Sequence, residues 1–413
     1  MLQLFAYLVG VVALGAAIAG AARAVDHPWL LLGLGLMAAV ISVATVSLLP
    51  ALLFRRTPKR RYAVWHGLGA GVVLLAGVAL VFLRPLVPAA QQYAVEIPPG
   101  VEQWQLPTGS TLAVRKVLAN PPTNKKSIVV VHGGPGAYSV VIEQTVKPLS
   151  QLSADGHDVY FYDQVGGGLS DRLDDMAEYS LDRHMRDLKA LVDKILAGSG
   201  DESVILIASS WGTTLTSNYM VRHPADVYQV VFSSAAPMHH PEWREAGDGK
   251  LDEKMSDAEK TAFTDAVNQP RFMAAVLLSD INPTAASRLL PWREAGSFFD
   301  RIANEYYLSL TVCDPSAIKT QTRGFGFWSN RMTAKSLQDY ADPKPALREN
   351  HTPVLIVRGE CDYKKEAVAR QYASTFPNAI YRSLEGAGHM VYWEKPQAFV
   401  AVVREFLGTG VVR

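Results

Sequence analysis

The run Ala208-Ser209-Ser210-Trp211-Gly212 follows the apolar stretch Ser203-Val204-Ile205-Leu206-Ile207 and opens a helix-like stretch from Thr213 to Met220. A strand, a sharp turn with a serine at its tip and then a helix make a nucleophile elbow, which lifts the hydroxyl clear of the sheet. Small residues must stand two positions either side of the tip, because strand and helix backbones nearly touch there. Gly212 meets that need, and Ala208 stands where glycine is usual. Ser209 is the rival for the tip, but it has no glycine two residues on. A chain that contains this unit is committed to strands feeding helices.

The flanking sequence agrees. Strands are expected near Gln103–Leu106 and Thr111–Val117, then at 127–131, 158–162, 203–207 and 228–233. Helices are expected near 141–153, 180–197 and 213–222. Such alternation predicts a mostly parallel sheet with helices on both faces. Ser180 followed by Asp182 marks a helix start, and Gly198 marks its stop. From Pro237 to about Arg348 helix-like stretches appear without an apolar strand. The sheet resumes at Pro353, and the chain closes with a helix over Glu394–Leu407.

A serine hydroxyl is a poor nucleophile until a base takes its proton. Two partners follow in the order this elbow requires, acid and then histidine. Pro353–Gly359 reads as a buried strand ending in Glu360-Cys361-Asp362, and Asp362 at the loop tip is the candidate acid, with Glu360 its rival. The strand Ala379–Leu384 runs into Glu385-Gly386-Ala387-Gly388-His389, which puts a histidine on a glycine loop before a helix. The strand Ser127–Val131 ends in His132-Gly133-Gly134-Pro135-Gly136, where half of an oxyanion hole is expected. The N–H groups of Gly134 and Trp211 are the candidate donors, and His132 is expected to pack the loop. Tyr160–Asp171 is an Asp-led, Gly-rich loop with neither G-x-G-x-x-G nor a Walker lysine, so it reads as a turn rather than a phosphate cradle. No zinc or iron spacing occurs, and no cofactor or metal is expected.

These motifs together resemble the α/β-hydrolase superfamily, and within it the prolyl iminopeptidase (prolyl aminopeptidase) group. The resemblance rests on His132-Gly133-Gly134-Pro135-Gly136, the Asp163-Gln164 loop, Ser210-Trp211-Gly212 and Gly386-x-Gly388-His389, and covers roughly residues 97–413. It implies a helical cap over the site and a serine peptidase acting on short peptides with an N-terminal proline. The chain departs from the group's pattern at three places. Ala208-Ser209 replaces a doubled glycine, Val165 an arginine, and Ala303 a glutamate that helps bind the substrate's amino group. Glu305, two residues away, would face a different way on a helix. Candidate substrate contacts are Gly133, Glu305, Tyr306 and Trp328. Most cap aromatics are expected to pack the cap's own core, the rest to line an apolar pocket above Ser210. An esterase or amidase for hydrophobic acyl groups therefore stays open. An inactive receptor or scaffold on the same fold stays open too, though the intact Ser-Asp-His set weighs against it.

The first ninety residues differ in kind. Residues 1–54 carry only Arg23 and Asp26 as charges besides His27. Apolar runs over about Leu2–Ala22, Trp29–Phe54 and Tyr62–Leu83 are each long enough to cross a bilayer core, which takes about 20 residues. A cleaved signal peptide is the competing reading of the first run, but no basic segment precedes it and two more runs follow. Arg55–Arg61 holds five basic residues and no acid. By the positive-inside rule that loop is cytoplasmic, which puts the catalytic part outside the cytoplasm. A basic loop between apolar runs is not a nucleic-acid surface, and a net charge of +1 implies no strongly charged partner. Cys313 and Cys361 are the only cysteines; nothing in their spacing demands a bridge, and two separate packing cysteines are expected.

The sequence thus predicts an α/β-hydrolase fold with a helical cap insertion, preceded by three transmembrane helices. Its expected divisions are a membrane region at 1–88, a linker at 89–99, hydrolase core at 100–237 and 349–413, and the cap at 238–348. The expected partners are a small-molecule or short-peptide substrate and a lipid bilayer. The expected location is the cell membrane, multi-pass.

Overall fold

The computed structural model describes residues 2–22, 24–53, 69, 73, 77, 84–94, 96–239 and 251–408. Eight strands form one sheet in the order β1-β2-β4-β3-β5-β6-β7-β8. They are β1 (Val101–Gln105), β2 (Thr111–Val117), β3 (Ile128–Val131), β4 (Val159–Tyr162), β5 (Val204–Ser209), β6 (Val227–Ser233), β7 (Val354–Gly359) and β8 (Ala379–Leu384). β2 pairs antiparallel with both β1 and β4, and all later pairings are parallel.

The central strands are apolar along their whole length because both faces are covered. Every residue of β3, β4 and β5 is buried. Parallel strands with helical crossovers need this continuous pattern rather than alternation. One face packs Ile128, Val130, Ile205 and Ile207 against Val146 and Leu149 of α3 (Glu143–Ser150) and Phe399 and Val403 of the C-terminal helix (Pro396–Gly408). On β6, Phe232 meets Tyr372 edge-on at 4.9 Å, a residue of the helix Glu366–Thr375.

The helix α4 (Leu181–Ser199) starts where its sequence signal stands: Ser180 Oγ accepts from Arg183 N at 3.1 Å. It runs past the expected stop at Gly198. The left-handed residue that ends it is Gly200, with φ 75°, and it is Gly200 N that bonds back to Leu196 O. α5 (Trp211–Arg222) begins directly at the serine turn.

The chain divides into two compact units, one of residues 1–92 with 265–294, the other of 93–264 with 295–413. Thirty residues that lie between β6 and β7, 265–294, group with the N-terminal region. In the first unit α1 (Leu2–Ala21) and α2 (Pro28–Leu53) are uncharged helices. Of the described helices, one is long and apolar enough to cross a membrane, over Pro28–Thr45; Leu8–Ile18 is a shorter apolar stretch. The basic loop Arg55–Arg61 lies outside the described residues, as does the expected third span Tyr62–Leu83 except for Gly69, Val73 and Gly77, each of which is helical and exposed.

Between β6 and β7 the described residues hold helices joined by loops and no strand. They form α6 (Asp257–Val267), α7 (Pro270–Ser279), α8 (Pro283–Leu289), α9 (Trp292–Ile302) and α10 (Phe327–Ser336). The cap aromatics of the second unit pack largely on one another: Phe299 stacks on Phe325 at 4.3 Å, and Phe327 meets Trp328 at 4.9 Å. Trp243 lies outside the described residues.

Candidate active site

Ser210 sits between the end of β5 and the first residue of α5 with φ 51° and ψ −123°. A non-glycine residue held at positive φ stores about 1–3 kcal/mol of strain, and such strain clusters at functional turns. Two contacts fix the turn. Ser210 N donates to Ser233 O on the neighbouring strand at 3.0 Å, and Thr213 N donates to Ser210 O at 2.9 Å. Gly212 lies so near the end of β3 that a Cβ there would come within 2.3 Å of Val131 O. That contact is the physical reason for the small residue two positions after the serine.

The β3 loop borders the serine directly. A Cβ on Gly133 would lie 2.8 Å from Ser210 Cβ and 3.6 Å from its Oγ. Gly134 takes φ 46°, which turns the next peptide, and its carbonyl accepts from Ala137 N at 2.7 Å. Trp211 N is a first-turn helix N–H, a group with no acceptor inside its own helix.

A buried chain of hydrogen bonds joins these two segments. Gln164 N donates to His132 Nε2 at 2.9 Å, and Gln164 Nε2 donates to His132 O at 3.0 Å. Trp211 Nε1 donates to Gln164 Oε1 at 2.9 Å. His132 Nδ1 lies 2.8 Å from Gly133 O, so the ring is a neutral bridge with its proton on Nδ1. Burial lowers its pKa to about 4, although the bond to the Gly133 carbonyl pulls the other way. His132 is thus the loop-packing histidine the sequence led us to expect. The role of Gln164 was not foreseen; the only signal was its place directly after β4, beside Asp163. Asp163 Oδ1 accepts from Ser139 N at 2.7 Å and Val140 N at 3.0 Å, which holds the segment after the glycine loop.

Across the sheet, Asp362 follows β7 and His389 follows β8. Their side chains meet: His389 Nδ1 lies 2.8 Å from Asp362 Oδ1, both groups buried. Burial pushes the Asp362 carboxyl up, but His389, the Lys364 N–H and Arg358 outweigh it and hold the group below the usual carboxylate range. The Tyr363 ring lies 4.7 Å from the imidazole. His389 N donates to Thr311 O at 2.7 Å, which ties the histidine loop to the segment after α9. The rival acid Glu360 is exposed and accepts from Gly386 N at 3.1 Å, so it buttresses the histidine loop instead. Among the described hydrogen bonds none joins Ser210 Oγ to the His389 ring. In an unliganded site such bonds are often long and tighten only around substrate.

Cys313 and Cys361 form a disulfide, with Cα atoms 5.7 Å apart. This corrects the expectation of two separate packing cysteines. Forty-eight residues separate them in sequence, and only the return of the cap segment beside the acid loop brings them together.

The other expected substrate contacts are placed as follows. Trp328 is buried on α10. Tyr306 packs edge-on against Phe263 at 5.7 Å. Glu305 is exposed on a π-helical turn over Ala303–Tyr307, and Ala303 is buried. No described contact joins any of these three to Ser210. Among the described residues no group of acidic, histidine or cysteine side chains could hold a metal ion.

The profile of the α/β-hydrolase fold family matches residues 126–396, about two thirds of the chain. The chain belongs to the α/β-hydrolase fold family. Its relatives include a proline iminopeptidase from Heyndrickxia coagulans, 25% identical over 297 residues, covering 68% of this chain and 90% of that protein. A proline iminopeptidase from Saccharolobus solfataricus is 25% identical over 288 residues, covering 69% and 85%. Among solved structures, an α/β-fold hydrolase from Bacillus anthracis aligns with a TM-score of 0.53 at 15% identity, over 75% of this chain and 99% of that one. VinJ aligns with a TM-score of 0.51 at 21% identity, over 76% and 100%. These structural likenesses concern the fold. The apolar N-terminal helices precede the segment the family profile covers. With proline iminopeptidases among its sequence relatives, this α/β-hydrolase is a serine hydrolase of the α/β type, of prolyl aminopeptidase-like or esterase kind.

Proposed function

We propose that Ser210, His389 and Asp362 are the catalytic triad of this hydrolase, working through an acyl-enzyme. The observation that carries the reading is the buried 2.8 Å Asp362–His389 pair, set at the same strand ends as a serine held at positive φ. Ionised Asp362 keeps the imidazole proton on Nδ1, which leaves Nε2 to take the proton from Ser210 Oγ. The alkoxide attacks a carbonyl carbon. Gly134 N–H and Trp211 N–H hold the oxyanion, and His389 passes its proton to the leaving group. Water then releases the acyl group by the same route in reverse order.

The substrate reading that the relatives favour is a short peptide with an N-terminal proline. A second reading has its own support. The position matching the group's amine-binding glutamate holds buried Ala303, and Glu305 is exposed on a π-turn. An ester or amide with a hydrophobic acyl group needs no such carboxylate. Labelling with a fluorophosphonate tests the shared chemistry: the wild type is modified at Ser210 and Ser210→Ala is not, while an unlabelled wild type would mean an inactive fold. Comparing a proline arylamide with short and medium p-nitrophenyl esters then separates the two substrates.

We further propose that the N-terminal region anchors the enzyme in a membrane, with α2 as one span. The finer reading has three spans, α1, α2 and the apolar run Tyr62–Leu83, with the hydrolase unit outside the cytoplasm. The Cys313–Cys361 disulfide supports that location, since disulfides persist in oxidising compartments.

A further inference from the structure

Within the N-terminal unit, α1 and α2 pack as a hairpin. A Cβ on Gly35 would come within 2.7 Å of Ile18 and Leu14, so glycine sets how closely the helices approach. The loop that closes the hairpin is held by a distant stretch of sequence. Asn282, buried at 8% exposure, donates through Nδ2 to Ala22 O and to Asp26 Oδ1, both at 2.9 Å. Its Oδ1 caps α8 by accepting from Ala285 N at 2.9 Å. Arg288 Nη1 adds a bond to Asp26 O at 3.2 Å. The α7–α8 pair is therefore fastened to the loop between the two apolar helices.

A second fastening lies beside it. Arg271 and Glu294 form a buried ion pair at 2.8 Å. Glu294 Oε1 also accepts from Leu86 N at 2.6 Å, and Arg271 Nη1 donates to Arg84 O at 3.3 Å. Residues 84–86 follow the last apolar run, so both the hairpin loop and the chain leaving the membrane region are held on one platform.

That platform exposes an apolar stripe. On α7 and just past its end, Met273, Leu277 and Ile281 are 39%, 64% and 45% exposed. Their four-residue spacing puts them on one helix face. Trp29 and Leu30, which begin α2, are 40% and 61% exposed, so apolar surface continues from the span onto the residues next to the loop. α2 has 26 residues, about 39 Å at 1.5 Å per residue, longer than a hydrocarbon core of about 30 Å. A loop at the end of such a helix sits at the bilayer surface, and whatever is bonded to it sits there too.

We propose that α7 is an interfacial helix, seated on the bilayer that α2 spans, with Met273, Leu277 and Ile281 entering the boundary between headgroups and acyl chains. This rests on the reading of α2 as a span. Across 265–294 the exposed charges are Asp265, Asp280, Arg288 and Arg293, two of each sign. Apolar burial rather than attraction to anionic lipid drives the contact, as for interfacial helices that sink a shallow apolar face. The consequence is that a segment the sequence places inside the hydrolase cap lies on the lipid surface.

The test uses the full chain in phosphatidylcholine bilayers, with a fluorophore on Leu277→Cys, Ile41→Cys or Asp174→Cys and doxyl-labelled phosphatidylcholine as the quencher. Ile41 lies along α2 at 59% exposure, and Asp174 is an exposed residue of the hydrolase unit. The expected result is strong quenching at 41, clear quenching at 277 and none at 174, unchanged when phosphatidylglycerol is added. Quenching at 41 but not at 277 overturns the proposal while leaving the span. Quenching at neither removes the span and the proposal with it. Quenching at 277 that appears only with phosphatidylglycerol, or a disulfide between two copies of the unlabelled Leu277→Cys variant in place of quenching, also overturns it.

Discussion

Ser210 is held by its neighbours in a conformation it would not choose. Its φ of 51° is one that glycine adopts freely and serine does not. Ser210→Gly should therefore raise the stability of the native state by about 1 kcal/mol, the strain relieved less the extra entropy glycine loses on folding. Fluorophosphonate labelling should vanish in the same variant. Urea denaturation checks the first outcome and the probe the second. Gln164 is a different kind of residue. It reaches no substrate in the proposed mechanism, yet its amide spans His132 O and Trp211 Nε1, one on each side of the expected oxyanion site. Gln164→Met keeps the volume and breaks both bonds. We expect kcat to fall about tenfold with KM little changed, less than the about 10²–10³ lost with a whole oxyanion donor. A variant with wild-type kcat would show that the two segments hold themselves.

At the scale of elements, the loops after β7 and β8 depend on ties from outside the sheet. Cys361 stands next to Asp362 and is bonded to Cys313, while Thr311 O receives His389 N. Glu394 adds bonds to Cys313 N at 2.8 Å and to Gly388 N at 2.5 Å. Replacing both cysteines by serine should lower stability by about 2–4 kcal/mol and reduce kcat, because the acid and the histidine lose a common anchor. Thermal unfolding and ester turnover of the double variant, against the wild type with and without reductant, measure both effects. The strands were legible because their apolar runs are local; β2 and β8 lie where the sequence puts them. The end of α4 was misjudged by two residues because Gly198 and Gly200 look alike in sequence, and only the backbone decides which one turns left-handed.

The whole molecule carries buried histidines that must stay neutral. Burial holds His132 at about 4 and His184 at about 3, the latter helped by His132 and Arg183 nearby. In the unfolded chain both would titrate near the ordinary histidine value of 6.5. Between these limits each histidine binds its proton only in the unfolded state, so its contribution to stability is full above pH 6.5 and is lost as the pH drops toward 4. The slope is about 1.4 kcal/mol per pH unit for each histidine. Burial raises the Asp163 and Asp300 carboxyls to about 6, which acts in the opposite direction over the same window. The histidine contribution is therefore read as a difference: relative to detergent-solubilised wild type, His132→Gln should gain stability as the pH falls from 6.5 toward 4, by urea denaturation at each pH, and two parallel profiles would contradict the burial argument.

The amino-acid sequence by itself determined the strands and helices, the elbow around Ser210 and the candidacy of Asp362 and His389. Each of these is a matter of local pattern, and chain order carries the rest. Tertiary structure alone decided that Asp362 and His389 touch, that Gln164 links two loops, that the cysteines pair and that residues 265–294 belong with the apolar N-terminal helices. Those facts depend on contacts between residues tens to hundreds of positions apart, and no local periodicity encodes which distant segments will meet.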